Sequence, residues 1–259
     1  MISRYRVWLD DVPMDSISPD ILIHDIQYAD VQFQDYFSSR ARSNGGYLSN
    51  RYLRDATVTI TFEIHRYRPA DRQRICEDVA KWAVNGGILK TNDRIGEQLH
   101  VLCKAPPVIA SALNWTDELS LVFFAPGLPY WEDELEETLS LTGTSGSGKL
   151  LCGGYAADGF VEVDITARAA GLTNFTLNVG STTMTVSGMT GMANGAQIHI
   201  RYDDEHFLHI RDGNNNSLLE KRTPYSSDDL RAVAGQENNV SFTANKSVNV
   251  VFKVRGLYY

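Results

Sequence analysis

One stretch of this chain carries a helical period, and almost everything around it alternates. Between Pro69 and Val84, Ile75, Val79, Trp82 and Ala83 recur at i, i+4, i+7 and i+8, which places them on one stripe of a helix. Pro69 suits the first helical turn, where its missing N–H has no intrahelical partner. Asp71 complements the positive N-terminal end, and Gly86-Gly87 supplies a stop. Arg72, Arg74, Asp78 and Lys81 are expected to avoid the stripe. A helix of about 69–84 surrounded by strands has to lay Ile75, Val79 and Trp82 against a sheet.

The rest reads with period two. Tyr5, Val7 and Leu9 alternate with polar neighbours, and Val58, Ile60, Phe62 and Ile64 share one face with Thr57, Thr59, Thr61 and Glu63 on the other. Further strands are expected at Ile88–Thr91, Leu99–Ala105 and Leu119–Phe124. Residues 36–52 interrupt the pattern and read as a long exposed loop. After Trp131 no helix is expected. Strands fall at Leu135–Thr142, Phe160–Thr166, Asn174–Val179, Thr182–Ser187, Ala196–Tyr202, His206–Asp212, Asn239–Thr243 and Val248–Val254, with Gly, Asn and Asp turns between them. That spacing predicts a β-sandwich.

The change of character falls at a proline-marked seam, Pro126, Pro129, Tyr130 and Trp131, because proline restricts the chain and ends ladders. The expected organisation is mainly β: residues 1–132 form a domain with the single helix, and residues 133–259 form the sandwich. The last strand, 248–259, either ends in the second domain or returns to the first, and the sequence leaves both open.

The chemistry-bearing motifs fail on inspection. Gly143–Lys149 matches the phosphate loop, but Leu150 stands where Ser or Thr must reach Mg²⁺, and no helical stripe follows. A flexible hairpin loop is the better reading. Asp212–Ser217 begins like a calcium loop, yet position six is Ser217 and position twelve is Thr223; a turn with Asn at positive φ accounts for it. His199, His206 and His209 lie near one another in sequence, and a hairpin around Asp203-Asp204-Glu205 would bring His199 and His209 together as a metal site needs, although solvent-facing histidines on a sheet are the plainer reading. The acids at Glu132–Glu137 have no opposed carboxylate and read as a solvated face. No nucleophile elbow, triad or H-E-x-x-H is present. No catalytic, cofactor or metal residue is therefore expected. Cys76, Cys103 and Cys152 are odd in number and far apart, which favours reduced core thiols over a disulfide framework. No apolar run is long enough to span a membrane, and the N-terminus has no signal-peptide character.

The segment 40–54 is the exception to this plainness. Arg40, Arg42, Arg51 and Arg54 alternate with Tyr47 and Tyr52, residue types enriched at protein interfaces. Single-strand nucleic acid is a weaker reading, because the chain carries a formal net charge of −8. A basic loop on an acidic protein is suited to an acidic neighbour of its own kind.

Four stretches together resemble the distal tail (Dit) proteins of long non-contractile phage tails. They are Ile21-Leu22-Ile23 leading into Arg42-Ser43-Asn44-Gly45-Gly46-Tyr47; the strand Ala56–Ile64 with its helix through Trp82; the seam Ala125–Trp131; and Leu230–Phe242 ending in Val251–Tyr259. Gln236-Glu237 departs from the family pattern, which often runs straight from Gly to Asn, and lengthens one turn. The resemblance implies a tail-tube-like first domain and a galectin-like or carbohydrate-module-like second domain. It also implies a homo-hexameric ring at the tail tip, joining the tail tube to baseplate, tail-associated or receptor-binding proteins. DNA would pass through that ring without specific binding. The implied location is the virion, after synthesis in the bacterial host cytoplasm. The family has no catalytic residues to carry over. The alternative is a carbohydrate-binding module recognising cell-wall glycan through the second domain, weakened by the lack of any Trp after Trp131.

Overall fold

The structure, a computed structural model, describes residues 5–29, 33–39, 46–53, 56–66, 68–109, 118–126, 129–203 and 207–259. The chain divides into two compact units, Met1–Trp131 with Tyr259, and Glu132–Tyr258. Both are built from antiparallel β-structure, and one α-helix occurs among the described residues.

The first unit contains β1 (Val7–Leu9), β2 (Val12–Pro13), β3 (Ile21–Tyr28), β4 (Phe33–Ser39), β5 (Gly46–Leu53), β6 (Thr57–Ile64), α1 (Pro69–Ala83), β7 (Gly87–Thr91), β8 (Glu97–Ala105) and β9 (Leu119–Phe124). Its main sheet runs in the order β2-β1-β7-β8-β9-β6-β3. Alternation decides the faces: Val58, Ile60, Phe62 and Ile64 of β6 and Leu119, Leu121 and Phe123 of β9 are all buried. The helix covers this apolar face with Ile75, Cys76, Val79 and Ala83. Trp82 meets Phe123 edge-on at 6.4 Å, and its indole N–H donates to the Val12 carbonyl at 3.2 Å. Arg72 lies on the buried side at 4% exposure, contrary to the expected polar placement. It sits one turn before Ile75 and Cys76, so the buried stripe reaches back to it.

Two backbone devices join the helix to the sheet. Asp10 and Asp11 take φ of 49° and 62° in the tight β1–β2 turn, a geometry that matches strand twist. The Asp10 carboxylate then accepts the Ile88 N–H at 2.8 Å. Gly86 ends the helix at φ 67°, where a Cβ would lie 2.1 Å from the Val101 carbonyl oxygen.

The described part of residues 36–52 is not the expected loop. Strands β4 and β5 pair over seven positions, from Phe33 with Leu53 to Ser39 with Gly46, and make a two-stranded ribbon of their own. A register shift between Tyr36 and Phe37 breaks the alternation. Polar residues and this bulge together hide the strands from a hydrophobic-pattern reading.

After β10 (Trp131–Asp133), at the unit boundary, the second unit holds β11 (Glu137–Cys152), β12 (Gly159–Ala167), β13 (Phe175–Val179), β14 (Thr182–Val186), β15 (Gln197–Tyr202), β16 (Leu208–Asp212), β17 (Arg231–Ala232), β18 (Gln236–Val254) and β19 (Leu257–Tyr258). Eight of them, β11 through β18, form one sheet with the path β14-β13-β18-β12-β15-β16. Strand β18 joins the two shorter strands expected from the sequence. It pairs with β13 through Val240–Ala244 and with β12 through Val248–Val254. Strand β11 follows it along its whole length, with a register shift between Gly143 and Ser145. The two strands thus bend together, and the sheet folds onto a core that includes Leu177, Phe242, Phe252, Ile165 and Ile200. Of residues 248–259, Val248–Val254 belong to β18 in the second unit, Leu257–Tyr258 pair with β10, and Tyr259 groups with the first unit.

The phosphate-loop look-alike is therefore a strand, not a flexible hairpin loop. Its glycines serve close packing. Gly143 takes φ 143°, and a Cβ on Gly146 or Gly148 would lie 2.8 Å from the Phe242 ring or the Leu139 side chain. Asn245 secures the bend: its side-chain oxygen accepts the Thr173 and Asn174 N–H groups at 3.0 and 3.2 Å, and its amide donates to the Gly171 carbonyl at 3.0 Å.

The outer face of the second unit is charged. Asp164 on β12 accepts from His199 at 2.6 Å and Lys253 at 3.0 Å and also pairs with Arg201. Burial alone would raise the Asp164 pKa, but these three donors together hold it below the usual carboxylate value. Glu162, two residues away on the same face, goes the other way. Burial pushes its pKa up, and Arg201 at 3.3 Å offsets this only in part.

Two predictions follow from this packing and charge pattern. Gly148→Val should destabilise the chain by about 1–3 kcal/mol through overpacking. Gly213→Ala, whose Cβ would meet only Gln197 atoms at 3.6–3.8 Å, should leave the melting temperature nearly unchanged. The two carboxylates should show opposite pH behaviour in thermal melts. Glu162→Gln should stabilise at pH 7, where the ionised carboxylate is disfavoured, and the gain should fade as pH falls through the raised folded-state pKa. Asp164→Asn should destabilise at pH 7, and the loss should fade as pH falls below the ordinary aspartate value of 3.8.

Candidate assembly surface

Three of the six interface residues named from the sequence fall on the β4–β5 ribbon. Arg40, Arg42 and Arg54 lie outside the described residues. Tyr47, Arg51 and Tyr52 lie on β5, where register sets them opposite Ser38, Asp35 and Gln34, and only their backbone is described. On β4, Phe37 is 68% exposed and Tyr36 43% exposed. Tyr36 accepts a hydrogen bond from the Gln34 side-chain amide at 2.6 Å. A lone two-stranded ribbon is marginally stable in water, and exposed aromatic side chains on one mark a surface that gains from being covered.

Next to the ribbon in sequence stands the end strand of the main sheet among the described residues. Strand β3 ends the main sheet and pairs with β6 from Ile21–Ile64 to Tyr28–Val58. Its backbone is extended over eight residues, long enough to template another strand. A bulge between Ile23 and Asp25 interrupts it, the usual device by which an edge discourages indiscriminate pairing. At the opposite end, β2 is two residues long and closes with Pro13, which offers no N–H.

At the seam, a cation packs against a pair of touching rings. Trp131 is buried at 3% exposure and meets Tyr28 edge-on at 5.5 Å. The Arg94 guanidinium lies 4.9 Å from the Tyr28 ring centroid and 4.8 Å from that of Trp131, and it is ion-paired to Glu97 at 2.8 Å. Burial raises the Tyr28 pKa strongly, and its hydroxyl donates to Asp93 at 2.7 Å, so the phenol stays protonated as a fixed donor. Pro129 is buried, Tyr130 is half-buried and Pro126 is exposed. Tyr259, which groups with the first unit, packs on Tyr130 at 5.7 Å and receives Arg94 at its carbonyl oxygen at 2.7 Å. Arg94 carries this arrangement, and sequence reasoning missed it because its partners lie up to 165 positions away.

The acidic stretch after the seam is a solvated face only in part: Glu134 and Glu137 are exposed, whereas Asp133 and Glu136 are half-buried and bonded. Asp133 accepts the Gly256 N–H at 2.8 Å and the Tyr258 hydroxyl at 2.9 Å. Arg255 pairs with Glu136 at 3.3 Å and donates to the Asp133 and Glu134 carbonyls at 2.6 and 2.7 Å. These bonds tie the start of the second unit to its end. They hold the Asp133 and Glu136 carboxylates as structural acceptors.

The remaining candidates resolve similarly. Strands β15 and β16 do form the expected hairpin, but register sets His199 opposite Arg211 and His209 opposite Arg201. His199 is taken by Asp164 and His209 by Asp203 at 2.9 Å, while His206 lies outside the described residues. Asp212 accepts the Asn214 and Asn216 N–H groups at 3.0 and 2.8 Å, and Asn215 takes φ 67°, so the calcium-like segment is a turn capped by its own aspartate. The three cysteines are free, with Cys76 and Cys152 buried. Burial raises all three thiol pKa values, which makes them poor nucleophiles. Among the described residues one set of side chains is grouped as metal ligands would be: His24, Glu63 and His65.

No protein-family model matches the chain, and no curated protein matches it in sequence. Solved structures do match. The Dit protein of phage SPP1, described as a paradigm of the hub adsorption apparatus in phages infecting Gram-positive bacteria, superposes with a TM-score of 0.69. It covers 97% of this chain and 98% of its own, at 11% identity. A chain of the phage P2 baseplate, in its activated conformation with Ca, matches with a TM-score of 0.52 at 12% identity, covering 99% of this chain and 98% of its own. Across nearly its whole length, then, the chain has the fold of phage Dit hub and baseplate proteins.

Proposed function

We propose that this chain is a structural subunit of a phage or prophage tail tip. Copies of it close into a hexameric hub ring that joins the tail tube to the baseplate or tail fibre and leaves a channel for DNA. One observation carries the reading: the match to the SPP1 Dit protein runs end to end through both units, covering 98% of that chain.

Physical features support it. A ring needs heterologous contacts that close on themselves. The first unit offers two unlike surfaces for such contacts, the β3 edge and the β4–β5 ribbon with Phe37 and Tyr36 exposed. Pairing a neighbour's segment on an open edge satisfies backbone groups that otherwise face water. Arg40, Arg42, Tyr47, Arg51, Tyr52 and Arg54 would then form the polar and aromatic part of the contact. The chain's net charge of −8 favours a lumen that repels DNA and lets it pass. The other partners of this hub are the tail-tube protein and the baseplate or receptor-binding proteins, and its place is the virion. No described helix is long and apolar enough to cross a membrane. The role asks for no cofactor and no catalysis.

Light scattering on the full chain tests this. The expected mass is six times 28.9 kDa, or growth toward it with concentration. Tyr36→Ser with Phe37→Ser should return the chain to a monomer with little change in melting temperature, because both side chains are exposed. A 28.9 kDa species at every concentration would overturn the ring. Retention of such a monomer on purified cell-wall glycan would favour the carbohydrate-binding alternative instead.

A further inference from the structure

We propose that His24, Glu63 and His65 form a binding site for a zinc-class divalent metal ion on the outer face of the β3–β6 pair. The three residues come from two strands of the sheet edge. Glu63 and His65 are two positions apart along one extended segment, so their side chains leave the same face. Register sets Glu63 opposite Leu22, and His24 follows two residues later on β3, diagonally across on that face. The bulge between Ile23 and Asp25 begins at this point, and Ile23 and Ile26 on either side of it are both buried.

The ligand atoms are already gathered. His24 Nε2 lies 3.3 Å from Glu63 Oε1, and His65 Nε2 lies 3.0 Å from Glu63 Oε2. All candidate ligand atoms fall within 4.8 Å of one another. A tetrahedral ion with ligands at the usual zinc distances places neighbouring ligand atoms about 3.3 Å apart. Little movement is therefore needed for one ion to replace the two imidazole–carboxylate contacts. Two imidazoles and one carboxylate form a donor set suited to zinc, nickel or copper; calcium prefers six or more oxygens. The neighbouring acid does not compete, because Asp20 is engaged by Arg66 and by the Ser18 hydroxyl at 3.1 Å. Glu63 is the most covered of the three, at 22% side-chain exposure against 34% for His24 and 43% for His65. The ion would sit with the carboxylate beneath it and its open positions toward solvent. In that place it cross-links the edge strand β3 to β6.

Calorimetric titration of the tag-free full chain with zinc chloride tests the site. The expected result is one zinc per chain, a melting temperature raised by several degrees, and no comparable rise with calcium chloride at the same concentration. Cobalt(II) in place of zinc should give visible d–d absorption. His24→Ala and His65→Ala should each weaken zinc binding by roughly tenfold or more. Glu63→Gln, which keeps size and polarity, should weaken it likewise without unfolding the strand, and His209→Ala should leave it unchanged. Absence of zinc uptake by the unaltered chain, or equal uptake by Glu63→Gln and His24→Ala, would refute the site.

Discussion

Two strands of the second unit have to serve both halves of a folded sheet, and that requirement organises everything around them. Backbone donors and acceptors must stay paired, so β11 and β18 can turn the corner only if they bend together. Gly143 supplies the unusual dihedral on one strand, and the residues around Asn245 supply the extra length on the other. Gly146 and Gly148 then keep the inner face clear for Phe242 and Leu139. Once the bend is set, alternation sends Val161, Val163 and Ile165 into the core and leaves Glu162 and Asp164 outside. The outer carboxylates end in opposite ionisation preferences because they share the same cations unequally. Asp164 receives three donors, whereas Glu162 has one guanidinium at 3.3 Å.

The first unit rests on a different constraint, the need to end a sheet. At one end the problem is solved by brevity and a proline in β2. At the other, β3 keeps eight extended residues and a single bulge. Among the described residues β3 is the long end strand of this sheet, and the β4–β5 ribbon that follows it in sequence carries exposed aromatic side chains. The helix, by contrast, has spent its apolar stripe on the sheet, and its Trp82 indole is bonded to the β1–β2 hairpin.

Much of this was legible in the residues. The β6 alternation, the helix with Pro69 at its start and Gly86 at its end, and the turn-punctuated strands after Trp131 each follow from short-range patterns. Other features were misread for identifiable reasons. The β4–β5 ribbon has too few apolar residues in register to announce itself. The Gly143–Leu150 segment looked like a loop because glycine is read as a turn former, while here it is read by a phenylalanine ring and a leucine packed against it. Arg72 looked polar because charge outweighs stem in a pattern search. His24 and Glu63 are 39 residues apart, and nothing local says that β3 will pair with β6.

By itself the sequence determined the β-rich class, the helix after Pro69 and a net negative charge, since each is a property of composition or of periods spanning a few residues. Tertiary structure alone decided which strand became the open edge, how two long strands fold a sheet onto itself, where Arg94 would hold Trp131, and that two histidines and a glutamate would meet. Those outcomes depend on pairings between residues tens to hundreds of positions apart. Strand register is selected by the burial of whole faces, and no local pattern contains it.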